Sequence, residues 1–173
     1  MIKTKFKDVK IIKFKKNLDK RGFFSEIFNL KDKLNFKIRQ INLSFSKKKN
    51  TFRGLHYQKG RNAQAKIIGV LKGEITDYII CLKKKDKNFG KFLKISIKEN
   101  DMKFIFIPKG YAHGFLTKKK NTLIIYYVDN FYNKKDEDGI SVLDNNLNLK
   151  LPKKLIMSKR DRNLKILNKK NYF

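Results

Sequence analysis

The chain has 173 residues, 40% of them hydrophobic and 13% aromatic, which is enough for one domain with its own core and too few for two. Its formal charge is +29, carried by 38 Lys and only 6 Arg against 15 acids. A single cysteine excludes an internal disulfide framework or a CxxC pair, and two histidines exclude a three-histidine metal site. The longest apolar run, residues 123–128, has six residues where a spanning helix needs about 20.

Residues 1–7 alternate charge and apolarity and contain no signal-peptide core, so a soluble, cytoplasmic chain with no membrane partner is expected. The lysine excess comes with many Asn and Ile and no Trp, and it is spread from Lys3 to Lys170. Proteins that read nucleic acids lean on Arg, whose fork fits phosphate and guanine. The charge is therefore read as compositional bias that yields solvated lysine faces, with no specific nucleic-acid partner. Its field still draws in small anions.

In chain order, residues 8–14 alternate apolar and charged and predict a strand. Asn29 is placed to cap a short helix with Leu30 and Leu34 on one face. Segments 40–44 and 51–58 are strand-like yet rich in polar groups. Residues 65–71 and 75–82 are apolar and β-branched, and Lys72-Gly73-Glu74 between them predicts a hairpin loop with Gly73 at positive φ. Further strands are expected at 92–97, 103–107, 114–117 and 122–128, with turns at 86–90 and 99–101. This rhythm points to an all-β sandwich or barrel. Residues 144–173 are weakly periodic and predict one or two short helices. No repeat or linker divides the chain, so a single domain over 1–173 is expected.

Three polar stretches interrupt the apolar pattern: 40–44 with 51–58, 64–66 leading into Asp77, and 107–115. Pro108-x-Gly110-x-x-His113 sets a histidine just after a tight turn. Strict alternation would put Arg53 and His56 on opposite faces, so a common site requires a bulge near Gly54. The residues alone leave bland readings open. Each histidine could be a satisfied core or surface group, and Lys66 one solvated lysine among 38. Asp161 could be a surface acid between two arginines, and Tyr126 a core tyrosine beside Tyr127.

Taken together, the motifs resemble the dTDP-4-dehydrorhamnose 3,5-epimerase family. The resemblance is carried by Arg21-Gly22-Phe23-Phe24-Ser25-Glu26, Gln40-x-Asn42-x-Ser44, Arg53-Gly54-Leu55-His56-Tyr57-Gln58 and Gln64-Ala65-Lys66. Further along it runs through Gly73-Glu74, Asp77, Ile107-Pro108-x-Gly110-Tyr111-Ala112-His113, Tyr126, Asn130-Phe131-Tyr132 and Ser158-Lys159-Arg160-Asp161. It spans about residues 8–167 in order. Leu151 stands where the family usually has Trp, and Asn133-Lys134 where it often has Ser-Pro.

The resemblance implies an all-β, cupin-type jelly-roll barrel with a few short helices, mainly near the C-terminus. It also implies a cofactor-independent epimerase that inverts C3 and C5 of a nucleotide-linked 4-keto-6-deoxy sugar through an enolate. By the same resemblance His56 is the base, Asp161 its orienting carboxylate, Lys66 the group at the enolate oxygen and Tyr126 the opposing acid. His113 and Asp77 form a supporting pair. Arg53, Gln40 and Asn42 bind sugar or pyrophosphate, while Arg21, Phe24 and Glu26 reach the nucleotide from the neighbouring subunit of a homodimer. The alternatives are a C3-only epimerase, an enzyme of a GDP- or CDP-linked sugar, and a non-catalytic polyanion-binding cupin.

Overall fold

Every strand expected from the alternation is present, with bounds moved by at most a few residues. The computed structural model describes residues 1–27 and 34–168. Its strands are β1 (Ile2–Lys3), β2 (Lys10–Lys13), β3 (Asn17–Asp19), β4 (Gly22–Phe24), β5 (Gln40–Ser46), β6 (Phe52–Gln58) and β7 (Lys66–Lys72). They continue as β8 (Glu74–Cys81), β9 (Phe92–Lys98), β10 (Lys103–Ile107), β11 (Tyr111–Thr117), β12 (Thr122–Val128) and β13 (Glu137–Gly139), followed by one helical turn, α1 (Lys159–Arg162). The helix expected from Asn29 falls on residues 28–33, outside those described.

One sheet runs β1-β2-β10-β7-β12-β5 and the other β13-β6-β11-β8-β9, with neighbours antiparallel; β3 and β4 pair apart as a hairpin. The two sheets close on each other as a jelly roll. Between them lies an apolar layer that includes Ile68, Val70, Ile105 and Ile124 from the first sheet and Ile75, Ile79, Ile95 and Phe115 from the second. Each such side chain, removed from water, contributes roughly 1.5–3 kcal/mol. A second cluster forms where the C-terminal segment crosses the outer face of the five-stranded sheet, setting Ile140, Val142 and Leu147 against Phe52, Leu55 and Tyr78. That segment holds the two short helical pieces expected there: a 3₁₀ turn at Asn145–Leu147, capped by Asp144, and α1, capped by Ser158. Among the described residues no helix is long and apolar enough to cross a membrane.

The expected hairpin at Lys72-Gly73-Glu74 is corrected by the topology. β7 and β8 lie in opposite sheets, so Gly73 makes the corner at which the chain passes from one to the other. Gly73 does take a positive φ, +88°, and a Cβ there would stand 2.5 Å from the Thr122 hydroxyl. Both strands are apolar enough to pack on either sheet, so local sequence could not separate a hairpin from a corner.

The bulge required near Gly54 is present. His113 pairs with His56 and Phe115 with Arg53, so β6 spends three steps where β11 spends two. The extra residue returns Arg53 and His56 to the inner face while Phe52, Leu55 and Tyr57 stay on the outer one. Gly54 has φ +114°, and a Cβ on it would lie 2.7 Å from Gly114 Cα and from the His113 carbonyl oxygen. Gly54→Ala is therefore expected to cost more than backbone strain alone, about 1–3 kcal/mol for the strain plus the cost of separating two backbones. Gly60→Ala shares the positive φ but meets open space. Urea unfolding of the two variants should show the larger loss at Gly54.

Candidate active site

His56 from β6 and Tyr126 from β12 belong to opposite sheets and line one cavity of about 190 Å³. Lys66, at the start of β7 beside β12, lines it as well, together with Asn42, Arg53 and His113. An imidazole, an ammonium and a phenol thus surround a single space.

Asp161 reaches His56 from the C-terminal segment. Its Oδ1 lies 2.7 Å from His56 Nε2. Ser158 caps α1 through the Asp161 N–H, so the carboxylate sits at the third position of a capped turn and its direction is set by the helix start. Burial pushes the Asp161 carboxyl up, but hydrogen bonds from His56, Ser158 and the Gly54 N–H outweigh it and hold the group below the usual carboxylate range. The bulge therefore serves the dyad twice, through the aim of His56 and through a donor to Asp161.

Lys66 is half-buried in the cavity wall, and loss of water lowers its ammonium to about 8, with Glu137 and Asp77 pulling the other way. It is still largely charged at neutral pH. Burial raises the Tyr126 phenol well above its ordinary value, while a hydrogen bond with Ser44 opposes the rise. Tyr126 is therefore a proton donor at neutral pH, not an anion. His113 lies beneath, its Nε2 2.8 Å from Asp77 Oδ2, and its ring meets Tyr126 edge-on at 6.3 Å. His113 and Asp77 are thus paired inside the barrel.

Three participants received no role in the sequence reading, although Tyr132 and Arg160 stand in its motifs. The Tyr132 hydroxyl donates to Glu137 Oε2 at 2.6 Å, and Arg160 Nη2 meets the same oxygen at 2.7 Å. Tyr132 and Glu137 both line the cavity. Glu137 lies in a charged stretch whose importance appears only when β13 pairs with β6, Gly139 opposite His56. Gln40 does not line the cavity; its amide donates to Asn42 at 2.7 Å and its carbonyl accepts the Tyr132 N–H at 3.1 Å, so it braces the rim. Arg53 lines it, braced by Ser46 and the Phe45 carbonyl. Arg21, Phe24 and Glu26 lie on or just after the β3–β4 hairpin, exposed and outside the cavity of their own chain. No cluster of three or more His, Cys, Asp or Glu side chains that could hold a metal occurs among the described residues.

An imidazole and a phenol from opposite sheets, with an ammonium beside them, can take and give protons on two sides of a bound molecule. The profile of the dTDP-4-dehydrorhamnose 3,5-epimerase family matches residues 3–169. The chain is 35% identical over 156 residues to the dTDP-4-dehydrorhamnose 3,5-epimerase of Shigella flexneri, covering 88% of this chain and 86% of that one. The crystal structure of the Bacillus anthracis str. Ames enzyme with TDP and PPi bound is similar at TM-score 0.93 and 34% identity, covering 96% of this chain and 98% of that one. The Legionella pneumophila Philadelphia 1 dTDP-6-deoxy-D-glucose-3,5-epimerase, in complex with dTDP-4-keto-L-rhamnose, is similar at TM-score 0.89 and 31% identity, covering 95% and 90%. The chain belongs to the dTDP-4-dehydrorhamnose 3,5-epimerase family, an isomerase family.

Asp161→Asn tests the dyad. It removes the charge that stabilises an imidazolium and is expected to lower kcat by about 10²–10⁴. Because the folded carboxyl is held low, its stabilisation is complete above the ordinary carboxylate range and is lost as pH falls through the folded value. The stability gap between wild type and Asp161→Asn, read by thermal unfolding, should narrow below about pH 4.

Proposed function

We propose that this single-domain protein converts dTDP-4-dehydro-6-deoxy-D-glucose into dTDP-4-dehydro-L-rhamnose, inverting C3 and then C5, or the reverse order, without a cofactor. The observation that carries the reading is the placement of His56 and Tyr126 on opposite sheets around the cavity that Lys66 also lines.

The C4 carbonyl of such a sugar acidifies the hydrogens on C3 and C5, since the carbanion left behind spreads onto oxygen as an enolate. His56, held by Asp161, removes the proton from one face. The Lys66 ammonium meets the charge that builds on the C4 oxygen; a donor of this kind is typically worth about 2.7–4 kcal/mol. Tyr126 returns a proton to the opposite face, and Ser44 steadies the phenolate left behind. Arg53 and Asn42 hold the sugar or pyrophosphate, Arg by its fork. The ammonium works only while protonated, so kcat/KM is expected to fall as pH rises through about 8.

We further propose a homodimer acting in the cytoplasm. The inner face of β5 carries Gln40, Asn42, Ser44 and Ser46, while its outer face exposes Ile41 (55%), Leu43 (65%) and Phe45 (49%) at the edge of its sheet. The hairpin exposes Leu18 (77%) and Phe24 (71%). A second copy that covers the β5 edge with its hairpin would bury both apolar sets and bring Arg21, Phe24 and Glu26 to a nucleotide in the neighbouring cavity. Sedimentation equilibrium should then give twice the 20.6 kDa chain mass.

Incubation with the dTDP-4-keto sugar in heavy water, followed by NMR, tests the reaction. Deuterium is expected at both C3 and C5. Label at C3 alone selects the narrower epimerase, and no label with any nucleotide-linked keto sugar leaves only a binding role. His56→Ala should abolish exchange at both carbons. Tyr126→Phe should keep exchange but lose inversion by roughly 10²-fold or more.

A further inference from the structure

Residues 159–162 form a single helical turn, and a helix that short has no stability of its own. Its orientation must come from what it touches. The turn touches two paired strands: Asp161 Oδ1 lies 2.7 Å from His56 Nε2 on β6, and Arg160 Nη2 lies 2.7 Å from Glu137 Oε2 on β13. Gly139 of β13 pairs with His56, so the two contacts are neighbours across one ladder. The other arginine of the turn, Arg162, is held within its own segment, its Nη2 donating to the Leu155 carbonyl at 3.1 Å.

Contact with one strand would leave the turn free to rotate about it. The remaining partners of Asp161, Ser158 and the Gly54 N–H, belong to the turn's own cap and to β6, and Arg160 is what ties the turn to a second strand. Adjacent residues of a helix leave its axis about 100° apart. Two contacts in those directions fix the rotation, and with it the aim of the carboxylate. We infer that Arg160 is a positioning residue for the dyad: its ion pair with Glu137 fixes the rotation of α1 and so holds the Asp161 carboxylate on His56. The inference rests on the proposed proton transfer for its effect on turnover, and on the placement of the two pairs for its effect on the dyad.

Glu137 is a fixed anchor. Its side chain is 11% exposed, and the Tyr132 hydroxyl donates at 2.6 Å to the same oxygen that Arg160 meets. The Tyr132 N–H is in turn held at 3.1 Å by Gln40 of β5, so the contacts run from the rim of the six-stranded sheet to α1. Tyr132 and Glu137 line the cavity, whereas Arg160 is not among the residues that line it. Arg160 therefore reaches the reaction through Asp161. Its side chain is 52% exposed, and an ion pair open to water on one side adds little to global stability. What it contributes is direction.

NMR of the imidazole N–H protons at neutral pH reads both histidine–carboxylate pairs, and with two histidines in the chain His56→Ala assigns the signals. In Arg160→Gln the His56 proton should broaden or vanish by exchange with water, while the His113 proton, buried against Asp77, stays as in the wild type. Arg160→Lys should restore the His56 signal. In Arg160→Gln kcat should fall about 10-fold or more with KM within about twofold, and the melting temperature by no more than about 4 °C. In an Asp161→Asn background the same substitution should lower kcat no further. An unchanged His56 signal in Arg160→Gln, a kcat loss that adds in full to that of Asp161→Asn, or loss of both signals through unfolding overturns the inference. If exchange hides the His56 signal in the wild type, the kcat cycle decides. A wild type whose signals respond as expected, yet which turns over no nucleotide-linked keto sugar, removes the epimerase reading and leaves the positioning role standing.

Discussion

Gly54 and Gly114 touch across the ladder between β6 and β11, and neither position has room for a side chain: a Cβ on Gly114 would lie 2.7 Å from the Arg53 carbonyl oxygen. That contact permits the extra residue in β6, and the extra residue decides which face His56 occupies. A regular strand would have sent either the histidine or Arg53 into the outer cluster with Phe52 and Leu55. Instead both look into the sandwich, and the Gly54 N–H is freed to bind Asp161. The packing of two glycine backbones thus sits upstream of everything chemical in the molecule.

Downstream of it, the cavity works by opposing two tendencies on each side chain. Burial disfavours charge on Lys66, Glu137 and Asp161; Arg160 and Tyr132 restore it on Glu137 and His56 with Ser158 on Asp161, while for Lys66 the nearby carboxylates only partly oppose burial. Tyr126 is the exception, since burial there is left largely unopposed and the phenol stays neutral. The result is a wall in which Glu137 and Asp161 are held charged by hydrogen-bonded partners while the Tyr126 phenol keeps its proton.

Most of the architecture could be read from alternation, because a two-sheet sandwich writes its faces into the strands directly. The His56 bulge was readable for the same reason: two polar residues three apart, with a glycine between them, contradict a regular strand. What alternation cannot encode is which strands share a sheet. β7 and β8 are both apolar and joined by a single glycine, and only the packing of Gly73 against Thr122 distinguishes the corner from a hairpin. Glu137 stayed hidden because its three-residue strand has no periodicity and gains meaning only from pairing beside His56. The roles of His56, Lys66, Tyr126 and Asp161 came from ordered motifs; a lysine among 38 carries no mark of its own.

The segment that crosses the outside of the five-stranded sheet carries a consequence for biogenesis. The jelly-roll strands are complete by Val128 and β13 by Gly139, yet Asp161 arrives some twenty residues later, on a single turn anchored by Leu155, Met157 and Leu167 against the sheet. Because translation runs from the N-terminus, the carboxylate beside His56 is made after every strand of both sheets, and the segment that brings it also completes the apolar cluster on the outer face of the five-stranded sheet.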